Sequence, residues 1–486
     1  MSDSHQRLES IAVRAMHERG LEPLFSKEAL HQLSSIGGAS AAPALPDLRQ
    51  LPWCSIDNDD SRDLDQLSAA EELSDGSVRV RVAIADVDGL VHKGSPLDAR
   101  AARNTTSVYT AGGTFPMLPE RLSTDLTSLN PEQERDALVI SYTLDHNGLQ
   151  TEESLQFARV YNHSKLAYNG VTAWLENSGP LPEAAARVPG MDAQLRLQDR
   201  AAQSLRGRRH ARGALELESL QTRAVFKNGT VAGLEVEVHG RANQLIEELM
   251  VAANGATARF FEQHRISSLR RVVKKPKRWD RLVIYAQAFG DTLPTEPDSL
   301  ALEDFLMKRR ATDPAHFPDV SLAVVKMMGP GEYVVESPGE TAIGHFGLAV
   351  RDYTHSTAPN RRFPDLITQR MVKAALAGRA PAYTRAELET LASHCTDQEN
   401  NADKVERQLR KSAGALLLEH RLGEEFDSIV TGVSKSGTFV RCLNPPVEGR
   451  VVRGEAGLDV AQGVRVKLLA VNVERGYIDF AAIGIN

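Results

Sequence analysis

Cysteine is scarce in this chain: Cys54, Cys395 and Cys442 are the three among 486 residues. Their number is odd and they lie far apart, so neither a disulfide framework nor a CxxC metal site is expected. Redox and zinc chemistry therefore fall away. Long apolar runs are missing as well, with nothing near the ~18 residues that span a bilayer. The N-terminal "MSDSHQRLES" is polar where a secretory signal carries an apolar stretch. The expectation is a cytoplasmic chain with no membrane attachment, working as a monomer. Aromatic residues make up only 5%, and the formal net charge of −7 gives no overall sign of a polyanionic partner. Positive charge is nonetheless concentrated in "LRGRRHARG" (205–213) and "RISSLRRVVKKPKR" (265–278), runs that suit either a solvated surface or a nucleic-acid contact.

What is present is length and pattern. At about three times a typical domain of ~150 residues, the chain has room for two to four domains and a large core. Residues 4–36 read as two helices, with Leu8, Ile11, Ala12 and Ala15 at helical spacing, a turn at Gly20 and a serine cap on the second. A Gly/Ala/Pro-rich stretch, "GGASAAPALPDLRQLP" (37–52), marks a boundary. Strand patterns come next at 77–91 and at 136–161, the latter about an Asn-Gly turn. A helical tract is expected over 163–210, a strongly periodic helix over 241–264, and further helices over 280–420. The last 65 residues change to short β patterns with Gly and Pro, as a small barrel of the OB type requires.

One stretch carries chemistry. "SIDNDDSRDLDQ" (55–66) holds five aspartates, at 57, 59, 60, 63 and 65, which repel one another unless water or a cation screens them. An EF-hand fails, because Arg62 stands at its glycine position and Ser68 at its glutamate. Magnesium suits such a loop, since it takes a few carboxylates and completes its shell with water and phosphate oxygens. A solvated surface turn is the other reading.

"SIDNDDSRDLDQ", together with the later "VAIADVDGLVHKGSPLDARA" and "TSVYTAGGTFPMLPERLSTDLTSLNP", resembles the signature blocks of the RNase II (RNB) family of 3'→5' exoribonucleases. "HFGLAVRDYTHSTAPNRRFPDLITQR" (345–370) and "HCTDQENNADKVERQL" (394–409) resemble its later blocks, and the C-terminal β region resembles the S-one-type OB-fold module that commonly ends these enzymes. The resemblance covers about residues 51–486 in colinear order. It implies an α+β fold: a large mixed RNB nuclease core over 51–420, preceded by a small helical, helix-turn-helix-like domain over 1–50 and succeeded by an OB-fold RNA-binding barrel over 421–486. It further implies hydrolytic, processive degradation of single-stranded RNA, entering 3' end first, to nucleoside 5'-monophosphates with Mg2+ as cofactor. Asp57, Asp63 and Asp65 would hold the metal, with Asp65 nearest the scissile phosphate, and Arg361 would contact that phosphate. Arg362 is a second candidate. Tyr109 and Tyr168 would stack on the terminal nucleotides, and Glu406 would accept a hydrogen bond from a sugar hydroxyl.

The chain also departs from the family pattern. Gln66 stands where a further Asp is usual, so a neutral amide replaces a charged ligand, and the alternative is an RNA-binding homologue with weakened or lost catalysis. Ala358 and Asn360 replace the usual Ser and Ile beside Arg361, and Leu217 stands where an aromatic commonly closes the base stack. In this setting Arg206, Arg208, Arg209, Arg212, Arg270, Arg271, Lys274 and Lys275 are expected to line a phosphate channel. The family's cold-shock barrels of ~65 residues do not fit in the ~50 residues before the core, and a helix-turn-helix-like unit is expected there instead.

Overall fold

A computed structural model of the chain describes residues 4–40, 44–218, 222–227, 229–236, 239–314, 316–434, 437–460 and 462–485. Residues 41–43 of the Gly/Ala/Pro-rich stretch lie outside these. The chain opens with helices α1 (Ser4–Glu18) and α2 (Lys27–Ser35), where the Ser26 side chain caps the second by accepting from the Ala29 amide. Between them Gly20 adopts φ +72°, a left-handed turn that glycine takes at no steric cost.

The core is a sheet built from β1 (Cys54–Asp57), β2 (Gln66–Glu72), β3 (Val78–Ala85), β6 (Glu134–Leu144), β7 (Gln150–Tyr161) and β8 (Ser164–Ala167), in the order β7-β6-β3-β2-β1-β8. Helix α3 (Pro96–Asn104) and the small hairpin β4 (Val108–Thr110) and β5 (Gly113–Phe115) interrupt it between β3 and β6. Helices α4 (Tyr168–Leu175), α5 (Glu183–Ala186) and α6 (Met191–His210) come after β8. The expected helical tract over 163–210 is thus corrected at its start and within. Its first residues form a strand, because β8 pairs in parallel with β1, and Pro180 and Pro182 keep the remainder from being one helix.

A second hairpin, β9 (Thr222–Lys227) and β10 (Thr230–Val236), leads into α7 (Arg241–Gln263), which is apolar on most of its circumference and lies against the sheet. Strand β11 (Ser268–Val272) and helices α8 (Trp279–Ala288), α9 (Ser299–Thr312) and α10 (Phe317–Met328) come next; the helices form a separate apolar cluster around Trp279, Phe305 and Phe317. Strand β12 (Glu332–Glu336) returns to pair with β11 and is a strand inside the 280–420 region expected to be helical. Then come α11 (Phe363–Leu376) and the long α12 (Arg385–Leu418). Strands β13 (Glu425–Ser434), β14 (Gly437–Cys442), β15 (Glu448–Arg453), β16 (Gly463–Asn472) and β17 (Tyr477–Ile485) close a barrel in the order β13-β14-β15-β17-β16, as the OB expectation requires.

The N-terminal helices are packed onto the sheet core, α12 and the barrel. Leu8, Ile11 and Met16 of α1 share one apolar cluster with Val405 and Leu409 of α12 and Phe480 of the barrel, while Ala29 of α2 joins the core of the sheet. Among the described residues no helix is long and apolar enough to cross a membrane.

Candidate active site

The acid loop connects β1 to β2. Asp57 ends β1 and turns the chain by accepting from the Asn58 amide at 2.7 Å and the Ser61 hydroxyl at 3.0 Å. The Lys165 ammonium donates to the Ser61 carbonyl at 2.6 Å, and the Ser128 hydroxyl accepts from the Leu64 amide at 3.0 Å. Leu64 is fully buried, so the aspartates on either side of it are held at fixed places along the loop. Asp60 points elsewhere, into an exposed ion pair with Arg223 of β9 at 3.3 Å.

The arginine arrives from the loop before α11. Ser107 donates its amide to the Arg361 carbonyl at 2.9 Å, and Phe363 donates to the Thr105 carbonyl at 2.8 Å, so this turn is zipped to the segment that runs into Tyr109. Asn360, one of the departures from the family pattern, contributes its backbone: its amide donates to Asp65 Oδ1 at 2.9 Å, while its side-chain oxygen accepts from the Thr127 hydroxyl at 2.5 Å. The Arg361 guanidinium lies 3.5 Å from Asp65 Oδ2 and is 45% exposed, free to meet a ligand on its other edge.

Asp65 is the buried member of the set. Burial, opposed by Arg361, pushes its pKa up to about 7, and its Oδ2 is enclosed with no hydrogen-bond partner. Burial also raises Asp63, which feels both Asp57 and Arg361. The Tyr109 hydroxyl is pushed up by burial within the field of Arg361, Asp63 and Asp65, and that of Tyr168 by burial beside Asp57. Asp57, Asp63, Asp65, Arg361, Tyr109 and Tyr168 therefore share one electrostatic neighbourhood. Tyr168 reaches it through the sheet, because β1 and β8 pair Asp57 with Ala167 and α4 starts at the next residue.

A cleft of about 820 Å³ leads to this neighbourhood, lined by Asp63, Tyr109, Phe226, Arg223, Glu406 and Arg410 among others. Glu406 accepts from the Tyr109 amide at 2.8 Å through one carboxylate oxygen. Gln66 opens β2, half-buried and paired across to Ile84. The carboxylates of the acid loop do not close to the spacing of one ion's shell. Among the described residues, the one group of metal-type side chains with ligand atoms within 4.8 Å of one another is His210, Glu216 and Glu303. Arg206 and Arg310 already neutralise Glu216 there, so that group is an internal charge network.

Several of the expected contact residues have partners within the chain. Arg362, the second candidate for an RNA contact, forms an ion pair with the fully buried Asp365 at 2.8 Å and lies in the electrostatic field of Tyr333 and Tyr353. The expected phosphate channel is largely spent on internal pairs: Arg206 with Glu216, Arg209 with Glu248, Arg270 with Glu336, Arg271 with Glu399 and Lys274 with Glu332. Leu217 packs against the α8–α10 cluster. Asp365, which holds both Arg362 and the Ala358 amide, was missed, although its i+3 spacing from Arg362 signals a helical ion pair. Arg410 and Phe226 were missed too, and nothing in their local sequence singles them out.

The family model of the RNB domain matches residues 46–378, and that of the RNase II-type exonuclease C-terminal S1 domain matches residues 424–483. The chain belongs to the RNB family. Among its relatives, Ribonuclease R of Vibrio parahaemolyticus is 29% identical over 484 residues, covering 90% of this chain and 56% of the relative. Ribonuclease R of Escherichia coli strain K12 is 29% identical over 474 residues, covering 90% of this chain and 57% of the relative. The chain thus spans just over half the length of these curated relatives. In structure, the apo form of Mycoplasma genitalium RNase R superposes with a TM-score of 0.86 at 22% identity, over 99% of this chain and 78% of the other. Yeast Ssd1, described as a pseudonuclease, shares the fold with a TM-score of 0.67 at 16% identity, over 95% of this chain and 58% of the other.

Proposed function

We propose that this RNB chain hydrolyses single-stranded RNA processively from its 3' end, releasing nucleoside 5'-monophosphates in a magnesium-dependent reaction. The observation that carries the reading is Asp65: a buried carboxylate oxygen without a hydrogen-bond partner, 3.5 Å from the half-exposed Arg361, in the neighbourhood to which a cleft of about 820 Å³ leads. Burying an acid so is costly, and the cost is offset when positive charge arrives. The related M. genitalium RNase R has been seen in complex with ribose-methylated single-stranded RNA and with double-stranded RNA, which favours RNA as the occupant of the cleft.

The donor chemistry fits magnesium, with hard carboxylate oxygens on one loop and Asp65 Oδ2 without a protein partner, and because the three carboxylates stand wider than one ion's shell, part of that shell would be water. Asp57, Asp63 and Asp65 would hold the ion, directly or through water, and Gln66 would add an amide oxygen. Bound there, magnesium supplies a Lewis acid for the phosphoryl oxygens and lowers the pKa of the attacking water. The chain's own groups do the remainder. Arg361 holds the non-bridging oxygens of the scissile phosphate and neutralises charge as it develops. Asp65 orients the attacking water beside it. Tyr109, 43% exposed, offers its ring to the terminal base, and Tyr168 closes the far side near Asp57. Glu406, with one oxygen on the Tyr109 amide, has the other for a ribose 2'-hydroxyl, which separates RNA from DNA. The nuclease core would run over 51–420, between the N-terminal helices and an RNA-binding barrel, in a cytoplasmic monomer.

A 5'-labelled single-stranded RNA tests this. With magnesium the full-length strand is expected to give way directly to a small labelled remnant with no build-up of intermediate lengths, and with EDTA to persist. Immediate release of labelled mononucleotide would reverse the polarity. Intact RNA that is retarded in a gel would support the rival reading, an RNA-binding homologue whose metal site Gln66 has weakened; Ssd1 shows that this fold occurs in a pseudonuclease.

A further inference from the structure

We infer that a second RNA contact lies outside the cleft, in a basic groove between α1, α12 and the β16–β17 turn, and that it holds the strand upstream of the 3' end. It rests on the exoribonuclease reading. The groove encloses about 740 Å³ and is lined by Arg14, Arg19, Lys404, Arg407, Arg475 and Tyr477 among others. In a chain of net charge −7 this is a local inversion of sign. Among the described residues, no carboxylate lies within ion-pair distance of Lys404, Arg407, Arg410 or Arg475, whereas Arg14 is paired with Glu474 and Lys411 with Glu448. Lys404, Arg407 and Lys411 succeed one another at i, i+3 and i+7, so they form a stripe along one face of α12.

The groove has fixed walls. At Gly476, where φ is +66°, an added Cβ would meet Lys411 Cβ at 2.8 Å and the Gln408 carbonyl at 3.0 Å, so the turn sits on α12 as closely as glycine alone permits. Its neighbours in sequence are Arg475 and Tyr477, the latter 57% exposed. On the other side Glu474 takes Arg7 and Arg14 of α1, tying that helix to the turn. The groove is also continuous with the site. Arg410 lines the cleft beside Glu406 and lines the next hollow with Arg407 and Lys411, and those two line the groove. A row of cations thus passes around α12 and ends at an exposed tyrosine, the combination by which proteins hold single strands without regard to sequence.

The test uses the whole chain in EDTA, so that RNA is bound and not cut, with 5'-fluorescent single strands of about 4 to 20 nucleotides, which spans the ~4–16-nucleotide site sizes of single-strand binders. The wild type is expected to bind longer strands more tightly. A triple variant, Lys404→Gln, Arg407→Gln and Arg475→Gln, should lose that gain and reduce the salt slope for the longest strand by about 2, since each phosphate contact contributes about 0.7. Tyr477→Ala should weaken the longest strand by on the order of tenfold. Arg407→Lys with Arg475→Lys keeps the charge and should keep the slope. Equal weakening of short and long strands, or none, would overturn the groove. Failure of the wild type to degrade any strand with magnesium would instead count against the exoribonuclease reading, because the length dependence in EDTA is scored without catalysis.

Discussion

Asp65→Asn separates what the acid does for the fold from what it does for the reaction. The carboxylate is 2% exposed, and burial lifts its pKa from 3.8 to about 7 against the pull of Arg361. The unfolded chain releases that proton near pH 3.8, whereas the folded chain keeps it to about pH 7. Across that window the folded state binds more protons, so stability falls as pH rises, and it stays low above about pH 7. About three pH units at about 1.4 kcal/mol each put the full loss at about 4 kcal/mol. Asparagine retains an acceptor for the Asn360 amide and carries no charge to bury. In magnesium-free buffer near pH 8, the variant is therefore expected to withstand more urea than the wild type, by roughly 2–4 kcal/mol, with the two converging near pH 4. It should also be inactive on RNA, a site made more stable at the expense of its work. A variant no more stable than the wild type near pH 8 would mean that Asp65 ionises like a surface acid, and the account of the site would fail with it.

The same geometry sets the expected behaviour of three other variants. Arg361→Lys keeps a cation and loses the planar fork, so single-turnover hydrolysis is expected to slow by on the order of a hundredfold with little change in melting temperature, as the side chain is 45% exposed. Gln66→Asp restores charge at the head of β2 and is expected to lower the magnesium concentration that half-saturates hydrolysis; an unchanged value would place Gln66 outside the metal's reach. Leu8→Ala removes a fully buried side chain that joins α1 to α12 and the barrel, and should cost about 2–5 kcal/mol in urea unfolding, whereas a cost below about 1 kcal/mol would show that α1 is loosely attached.

Much of the fold is legible in local pattern. The α1 face of Leu8, Ile11, Ala12 and Ala15 is buried as its periodicity implies, and the β6–β7 hairpin turns at Asn147 and Gly148, where Gly148 takes φ +70°. What escaped are elements whose identity is decided by remote partners. β8 is four residues that become a strand because β1 lies beside them, and β11 and β12 are short strands that need each other across an intervening helical cluster. The site divides in the same way. The acids of the β1–β2 loop and Arg361 are readable from their blocks, whereas Asn360 acts through its backbone and Asp365 through a neighbour. The basic runs misled for a related reason: charge along the chain says nothing of Glu216, Glu248, Glu336 and Glu399, which fold back to neutralise it.

The most direct test of the central claim, that Asp57, Asp63, Asp65 and Arg361 form a hydrolytic centre for the 3' end of RNA, is the fate of oxygen from water. Single-stranded RNA digested with magnesium in oxygen-18 water should release nucleoside 5'-monophosphates carrying one heavy oxygen on each 5'-phosphate, and the Asp65→Asn protein should release none. Products bearing 3'-phosphates, or heavy 5'-monophosphates formed equally well by the Asp65→Asn protein, would contradict it.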